Sequence, residues 1–386
     1  MSNQNEAVIV AYGRTPLARA FKGGFAKTHP VDYTAAALKG VLEKVPQLDV
    51  STIEDVIVGC AVMERYTSYN IARLAAQKAG LPDLVPAQSI NRFCSSGLQA
   101  IATAANAIEA GQMDVVVAGG VEMMTGMSMG HPEEFHDQEL AKRIPGTYLS
   151  MGETAEIVAE RYHITRQEME EMAVKSHQKA AAAQASGKFD EEIVPVTVAG
   201  ENGSVTIAQD EGIRPTTTAE KLAQLDPCFR HDGLVTAATS SQMTDGASFV
   251  ILMSRRRAEE LGCTPLARYI SFAVAGVPAE VMGIGPVVAV PKALEKAGIT
   301  VADLDVIELN EAFAAQAIAC MKELDLPTDK INPNGGAMAL GHPMGATGTI
   351  LTCKAISELK RTSGKYALIT MCVGGGMGAA GVLMME

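Results

Sequence analysis

The sequence predicts an α/β fold made of two similar halves, with a further segment inserted into the first half. Three observations support this prediction. Short apolar runs typical of buried strands alternate with longer segments of helical periodicity. The order of these runs in the first half recurs in the second. The closing strand of the first half is delayed by about 120 residues, which is near the size of a small domain.

The repeat consists of four pairs of matching segments, each containing a strand or the end of one. The pairs are 55–59 with 305–309, 90–91 with 331–332, 114–120 with 366–370, and 246–253 with 378–385. Because the strands are apolar along their length, each half should form a sheet covered on both faces by helices. Two similar halves should stack about a pseudo-twofold axis, so that equivalent loops meet at one shared cleft.

The interruption of the first half defines the expected domain boundaries. We predict a first half at residues 1–120 and 243–264, an inserted domain at 121–242, and a second half at 265–386. Because the insertion is long and contains helix signals, we expect it to be folded.

Two segments of the insertion carry recognisable signals. Thr165 and Glu168 form a capping box that opens a long helix ending near Gly187. The methionine-rich run at residues 121–129 is expected to pack adaptably at a subunit or domain contact, because nothing nearby completes a metal site.

Composition and charge exclude several classes of partner. The chain has 386 residues, of which 47% are hydrophobic and 20% charged, and a net charge of −12. This acidic balance disfavours nucleic acid and anionic membranes as partners. The chain has no Trp and few other aromatic residues, so a base-stacking surface is not expected either.

Cysteine usage and targeting signals favour the cytoplasm. The seven cysteines are scattered singly and form no CxxC pair, so neither a disulfide framework nor a zinc site is predicted. We find no signal-peptide pattern at the N-terminus and no peroxisomal address at the C-terminus. Residues 367–385 lack charge over about the length that crosses a bilayer, but their glycines favour two buried strands joined by a turn.

Cys94 is the first candidate for chemistry. It stands just before a helix with apolar residues at helical spacing, which ends at Gly111. Free N–H groups and the positive dipole end of a helix stabilise a thiolate, so we expect the pKa of Cys94 to be lowered from about 8.5. The alternative is a small buried hydrophobic residue.

The second half supplies four further candidate side chains. His342 lies in the glycine-rich loop 332–348, at the position equivalent to the Cys94 turn, and could instead be a buried structural histidine. Asn310 and Glu311 follow a strand, where α/β sheets bind ligands, although Asn310 could simply cap a helix. Cys372 precedes a Gly-Gly-Gly turn that includes Gly374 and could be buried and inert. The loop lacks the Walker lysine, so nucleotide hydrolysis is not favoured.

Taken together, these motifs resemble those of the thiolase family along nearly the whole chain. The matching blocks are NRFCSSGLQA, NEAFAAQA, NPNGGAMALGHPMGATG and CVGGGMG. The resemblance implies a duplicated five-layer αβαβα architecture and an inserted loop domain that binds coenzyme A (CoA). It also implies a homodimer or homotetramer and no permanently bound cofactor, with CoA and acyl-CoA as substrates. A hydratase or dehydrogenase of β-oxidation would be a further partner.

The resemblance gives a role to each candidate. Cys94 would be the acyl-accepting nucleophile, and Cys372 the acid and base that moves the proton at the α-carbon. His342 would activate Cys94 and, with a water held by Asn310, form one oxyanion hole. The backbone N–H groups of Cys94 and Gly374 would form the other. The resemblance assigns no role to Glu311, which we expect to support these groups without contacting the substrate.

The resemblance also implies a CoA site and an activity. Six residues match CoA-binding positions: Arg214, Ser241, Met151, Met282, Phe229 and Phe313. Ser150 stands where many short-chain biosynthetic members have His, and Ser95 follows Cys94 as in degradative members. Residues 236–242 lack the usual Gly-Asn, which bears on the pantetheine contacts. We therefore expect 3-ketoacyl-CoA thiolysis in fatty-acid β-oxidation. The alternatives are an acetoacetyl-CoA acetyltransferase, a ketoacyl synthase and an inactive lipid-binding homologue.

Overall fold

The computed structural model of the protein describes residues 4–127, 133–200 and 203–386. The strands in these ranges are β1 Ala7–Arg14, β2 Ala18–Arg19, β3 Asp55–Gly59, β4 Ala87–Ile90, β5 Val115–Met123, β6 Val196–Gly200, β7 Gly203–Ile207, β8 Thr244–Ser254, β9 Ala267–Gly276, β10 Val306–Leu309, β11 Tyr366–Val373 and β12 Met377–Met385. The helices are α1 Pro30–Leu42, α2 Ile71–Lys78, α3 Ser96–Glu109, α4 Gln138–Arg143, α5 Met151–Arg161, α6 Arg166–Ala185, α7 Ala219–Leu222, α8 Arg255–Leu261, α9 Gly285–Ala297, α10 Ala314–Glu323 and α11 Met344–Thr362.

The two halves have the same sheet topology. In the first half the strand order is β4-β3-β5-β8-β1, and in the second half it is β10-β11-β12-β9. Ile331 bridges Ile307 of β10 in parallel, at the place that β4 occupies beside β3. The halves join where Val8 and Ile9 of β1 pair with Arg268 and Ala267 of β9. The internal repeat is thus a repeat of strand order.

Alternating side chains on the strands create separate cores on the two faces of each sheet. In β8, Phe249 and Ile251 face a core shared with α1 and α2, whereas Val250 and Leu252 face a central core. Helices α3 and α11 fill that central core between the two sheets. Helices α9 and α10 cover the far face of the second sheet. The layers are therefore helix, sheet, helix, sheet, helix, and the predicted fold class is confirmed.

The segment between β5 and β8 contains α4 to α7 and the β6–β7 hairpin. The predicted helix is confirmed, because Thr165 caps α6 through a capping box with Glu168 and Gly187 follows its end at φ +69°. In the methionine-rich run, Met123 and Met124 are buried, and residues 128–129 lie outside the described ranges. The division of the chain at residues 121 and 242 stays a prediction.

The uncharged C-terminal stretch forms strands. β11 and β12 pair antiparallel from Tyr366 with Met384 to Val373 with Met377. Gly375 and Gly376 form the turn at φ +82° and +85°, a region that glycine adopts without steric cost. The prediction of two strands is therefore confirmed. Among the helices of the described ranges, none combines the length and apolarity required to span a bilayer.

Candidate active site

The Cys94 turn connects β4 to α3. Residues 93–95 form a short 3-10 turn, and Phe93 adopts φ +43°, a left-handed conformation that is uncommon for a side chain of this size. The turn is fixed locally, since Asn91 Oδ1 accepts the Phe93 N–H at 2.7 Å and Ser96 Oγ accepts the Arg92 N–H at 2.9 Å. Cys94 itself is 8% exposed. The strained turn thus presents the thiol at the start of the central helix.

The expected lowering of the Cys94 pKa is wrong. Burial is the largest influence and raises the pKa of this thiol to about 11. The Gly374 backbone N–H lies within hydrogen-bonding reach of the sulfur, as does that of Cys94 itself, and both oppose the rise. Desolvation therefore outweighs the stabilisation by the helix start. The resting group is a neutral thiol that needs a base to become a nucleophile.

Cys372 lies beside Cys94. It is near the end of β11, is fully buried, and pairs with Gly378 of β12. Burial, followed by the neighbouring thiol of Cys94, raises the pKa of Cys372 well above its usual value. Both cysteines are thus protonated at neutral pH, and Gly374 stands within reach of the first and two residues after the second.

His342 is held between an amide and a hydroxyl. Asn310 Nδ2 lies 3.4 Å from His342 Nε2, and His342 Nδ1 lies 2.6 Å from Thr347 Oγ1. An amide nitrogen only donates, so Nε2 carries the lone pair and Nδ1 the proton. Thr347 Oγ1 can accept that proton because its own hydroxyl donates to the Pro343 carbonyl at 3.2 Å. Burial lowers the pKa of His342 to about 4, so its Nε2 is a free base at neutral pH.

Asn310 and Cys372 lie at the same edge because their strands are parallel. β10 pairs with β11 in parallel, and the Asn310 N–H donates to the Thr370 carbonyl at 3.0 Å. The Asn310 side-chain Oδ1 is buried and has no hydrogen-bond partner within the described residues. Both α11, which begins two residues after His342, and β11 pack against the Cys94 turn. The four predicted side chains thus form two neighbouring pairs, Asn310 with His342 and Cys94 with Cys372, on elements that pack against the same turn.

Glu311 supports the glycine-rich loop. Its buried carboxylate accepts hydrogen bonds from Ser176 Oγ at 2.6 Å, Asn332 Nδ2 at 2.9 Å and the Met338 N–H at 3.2 Å. The loop comes so close that a Cβ added at Gly336 would lie 2.2 Å from the Glu311 carboxyl carbon. Glu311 therefore fixes the backbone that leads to His342.

Thr347 escaped the sequence analysis, although the sequence carries a signal for it. A helix that starts after Pro343 directs the side chain four residues later back to the Pro343 carbonyl, where it meets His342.

Three of the six predicted CoA-binding residues belong to or pack against the apolar cluster that contains Cys372, and two more contact residues of that cluster. Met282 and Phe313 share an apolar cluster with Cys372, and Met151 packs at its margin. The rings of Phe229 and Phe313 meet edge to face at 5.9 Å. Ser241 is half-buried and attached through its N–H to the Ala312 carbonyl at 2.9 Å.

Arg214 is the exception among the predicted CoA residues. Its side chain is exposed, and its backbone N–H donates to Nδ1 of the buried His177 at 3.1 Å. Burial and the nearby Arg214 charge lower the pKa of His177 to about 4, which keeps that acceptor neutral. The structure therefore fixes the backbone of Arg214 and leaves its guanidinium facing solvent.

Comparisons with known proteins agree with this architecture. Residues 7–256 match the family description "Thiolase, N-terminal domain", and residues 263–385 match "Thiolase, C-terminal domain". A 3-ketoacyl-CoA thiolase of Bacillus subtilis is 49% identical, with 98% of each chain covered. A human peroxisomal 3-ketoacyl-CoA thiolase is 45% identical over 97% of this chain and 90% of its own.

Solved structures give the same result. An acetyl-CoA acetyltransferase of Bacillus anthracis superposes with a TM-score of 0.92 at 40% identity, covering 99% of both chains. A human mitochondrial 3-ketoacyl-CoA thiolase superposes with a TM-score of 0.91 at 36% identity, covering 99% of this chain and 100% of its own.

Proposed function

The chain belongs to the thiolase family, and from this premise we propose that it is a 3-ketoacyl-CoA thiolase of fatty-acid β-oxidation. The observation that carries the proposal is the pairing of two adjacent buried thiols with a neutral imidazole held by an amide. Relatives named 3-ketoacyl-CoA thiolase at 45–49% identity support the substrate class. The reaction uses CoA as a substrate and needs no resident cofactor.

In the first step, the Cys94 sulfur attacks the C3 carbonyl carbon of the 3-ketoacyl-CoA as its proton passes to His342 Nε2. The protonated imidazole and Asn310 then face the developing oxyanion. The C2–C3 bond breaks, and its electron pair goes to the enolate of acetyl-CoA. The Cys372 thiol protonates C2 of that enolate, which its raised pKa supports, since a neutral thiol is a proton donor.

In the second step, the acyl group leaves Cys94. The Cys372 thiolate takes the proton of an incoming CoA thiol, whose sulfur attacks the thioester carbonyl at Cys94. The shortened acyl-CoA departs, and Cys94 recovers its proton from His342. A thioester is exchanged for another thioester, so neither direction is steeply downhill.

We assign the pantetheine arm of CoA to the apolar residues that connect the inserted segment to Cys372. Phe313, Met282 and Met151 support this path because they cluster with Cys372, and Phe229 extends it through its contact with Phe313. Ser241 is the polar contact along it, and Arg214 is the cation for the adenosine phosphate end. Exposure of Arg214 fits a contact with the solvated end of the ligand.

The test is mass spectrometry after brief incubation with a 3-ketoacyl-CoA. We expect one acyl adduct, on the peptide that contains Cys94, and none on the Cys94→Ser variant. Cys372→Ala should still form the adduct but lose α-proton exchange of acetyl-CoA with solvent. An adduct on another cysteine, or exchange that survives the loss of Cys372, would contradict the assignment.

One observation favours a second candidate. The close superposition on an acetyl-CoA acetyltransferase supports activity on the four-carbon substrate. Comparing kcat/KM for acetoacetyl-CoA with that for a long-chain 3-ketoacyl-CoA separates the two functions. We expect the longer substrate to be preferred. A strong preference for acetoacetyl-CoA would identify the chain as an acetyltransferase.

We further propose that the protein is a cytoplasmic homodimer or homotetramer. Among the strands of the described residues, β4 pairs only with β3 and ends the sheet, and Tyr69 and Leu84 beside it are 77% and 68% exposed. An open edge flanked by apolar side chains supports pairing with a second copy. Light scattering should give two or four times the 40.5 kDa of one chain. A monomer would contradict this. Co-elution of hydratase or dehydrogenase activity with the protein in extracts would support a β-oxidation partner.

The free state of all seven cysteines supports the cytoplasmic assignment. Several relatives are named peroxisomal, so fractionation of the source cells is the direct test. Recovery of the protein in an organelle fraction would overturn it.

A further inference from the structure

Glu122 is a buried acid that the reaction steps above do not use. It lies on β5, opposite Gly246 of β8, and its side chain is fully buried. Its carboxylate accepts hydrogen bonds from the N–H groups of Ala61 at 2.9 Å and Val62 at 3.3 Å. It also accepts one from the Gly345 N–H at 2.9 Å. One side chain thus connects the loop after β3 to the start of α11.

The first connection leads to the Cys94 turn. The Asn91 side chain makes two hydrogen bonds. Its Nδ2 donates to the Ala61 carbonyl at 2.9 Å, and its Oδ1 accepts the Phe93 N–H at 2.7 Å. Phe93 is the left-handed residue directly before Cys94. Any shift of the loop after β3 is therefore passed on to the residue that orients the thiol.

The second connection leads to His342. Gly345 is in the first turn of α11, three residues after His342 and two before Thr347, which holds the imidazole. A Cβ added at Gly345 would lie 2.6 Å from the Val121 carbonyl, and one added at Gly120 would lie 2.3 Å from the Gly345 carbonyl. The helix start and β5 are in direct backbone contact, so the carboxylate sets their separation within narrow limits.

The negative charge of Glu122 also affects the pKa of Cys94 in the active site. The carboxylate contributes to the raised pKa of Cys94, and its own pKa is raised to about 7 by burial. The other titratable groups around it are Cys60, whose thiol lies 3.7 Å from Oε1, and Tyr33, whose hydroxyl donates to the Glu122 carbonyl at 2.9 Å. Removal of the charge should therefore be felt at Cys94.

We propose that Glu122 is a positioning residue that holds the Cys94 turn of the first half and the His342 helix of the second half in register. Through its two oxygens, a single carboxylate fixes the distance over which the proton passes from thiol to imidazole. The inference rests on the proposed thiolase reaction. It adds Glu122, which lies outside the family motifs, to the residues that determine the rate of that reaction.

Two variants of Glu122 separate the effect of side-chain length from the effect of negative charge. Glu122→Gln keeps the shape but replaces one acceptor oxygen with an amide that faces backbone N–H donors. Glu122→Asp keeps the charge but withdraws it by about 1.5 Å. Glu156→Gln is the matched control, because that buried carboxylate accepts the Leu234 and Val235 N–H groups at 2.8 and 3.0 Å within the inserted segment.

Two readouts are measured on each folded variant. The first is kcat, which we expect to fall about 100-fold in both Glu122 variants, as misplacement by about 1 Å does elsewhere. The second is the pH dependence of Cys94 alkylation by iodoacetamide, followed on the Cys94 peptide by mass spectrometry. This profile should move to lower pH in Glu122→Gln and stay in place in Glu122→Asp and Glu156→Gln.

Alkylation requires no acyl-CoA, so it reports on Glu122 even if the proposed substrate is wrong. For Glu122→Gln, a wild-type kcat would overturn the proposal, and so would a fall in kcat with an alkylation profile that does not move. If Glu122→Gln does not fold, a folded Glu122→Asp with wild-type kcat would overturn it as well. Failure of both variants to fold would assign Glu122 to the fold alone, against the proposal.

Discussion

At the scale of single residues, the hydroxyl of Thr347 decides which nitrogen of His342 is basic. It accepts the Nδ1 proton at 2.6 Å and so leaves the lone pair on Nε2, toward Asn310. Thr347→Val would leave a buried N–H unpaired, at a cost of about 1–3 kcal/mol. We expect kcat to fall about 10- to 100-fold, with Thr347→Ser retaining most of the activity because it keeps the hydroxyl.

A matched control for this substitution lies on the same helix. Thr349 is fully buried, and its hydroxyl has no hydrogen-bond partner among the described residues. Thr349→Val therefore removes no bond and should leave kcat within about two-fold of wild type. Equal losses in both Val variants would show that α11 tolerates no change there and would contradict a specific role for Thr347.

At the scale of elements, α6 connects the inserted segment to the glycine-rich loop. Ser176 on this helix donates to Glu311 at 2.6 Å and accepts the Gly336 N–H at 3.0 Å. Ser176→Ala should lower the free energy of unfolding by about 1–3 kcal/mol and reduce kcat, because both bonds are buried. Ser186→Ala is the control, since this exposed hydroxyl just after α6 donates to the helix carbonyls of Ala182 and Ala183. A wild-type kcat in Ser176→Ala would show that this contact of α6 does not contribute to catalysis.

His177, the next residue of α6, should make the stability of the protein depend on pH. His177 has its pKa lowered to about 4, so between that value and its unfolded value near 6.5 the unfolded chain binds more protons. Stability is therefore lost as pH falls through this window. His177→Asn keeps an acceptor for Arg214 but cannot titrate, so the loss should shrink by on the order of 1–2 kcal/mol. Urea unfolding at about pH 7 and pH 4.5 measures the difference, and an unchanged loss would contradict the assignment.

At the scale of the whole molecule, the sequence predicted what depends on local pattern. Apolar strands such as DVIVG and the repeated segment order required two layered halves, and both are present. The electrostatics of the site were less predictable from the sequence, because burial affects the pKa of Cys94 more than the helix start does. Thr347 and Glu122 were missed for a related reason, since their partners become neighbours only after the halves pack together.

A buried ion-pair cluster attaches the segment between β5 and β8 to the first half. Arg14, at the end of β1, is fully buried between Glu192 and Asp210, with N–O distances of 2.8 Å to each. Arg14→Met would leave two buried carboxylates without a counter-charge, so we expect stability to fall by about 3–5 kcal/mol. The exposed Arg256, which pairs with Asp114 and Glu260, is the control, and Arg256→Met should cost less than about 1 kcal/mol.

Limited proteolysis of Arg14→Met should cut first within residues 121–242, because that segment loses the Arg14 ion pairs while the sheets keep their cores. Equal stability of the two variants, or first cleavage in the sheets, would show that the segment is held by other contacts.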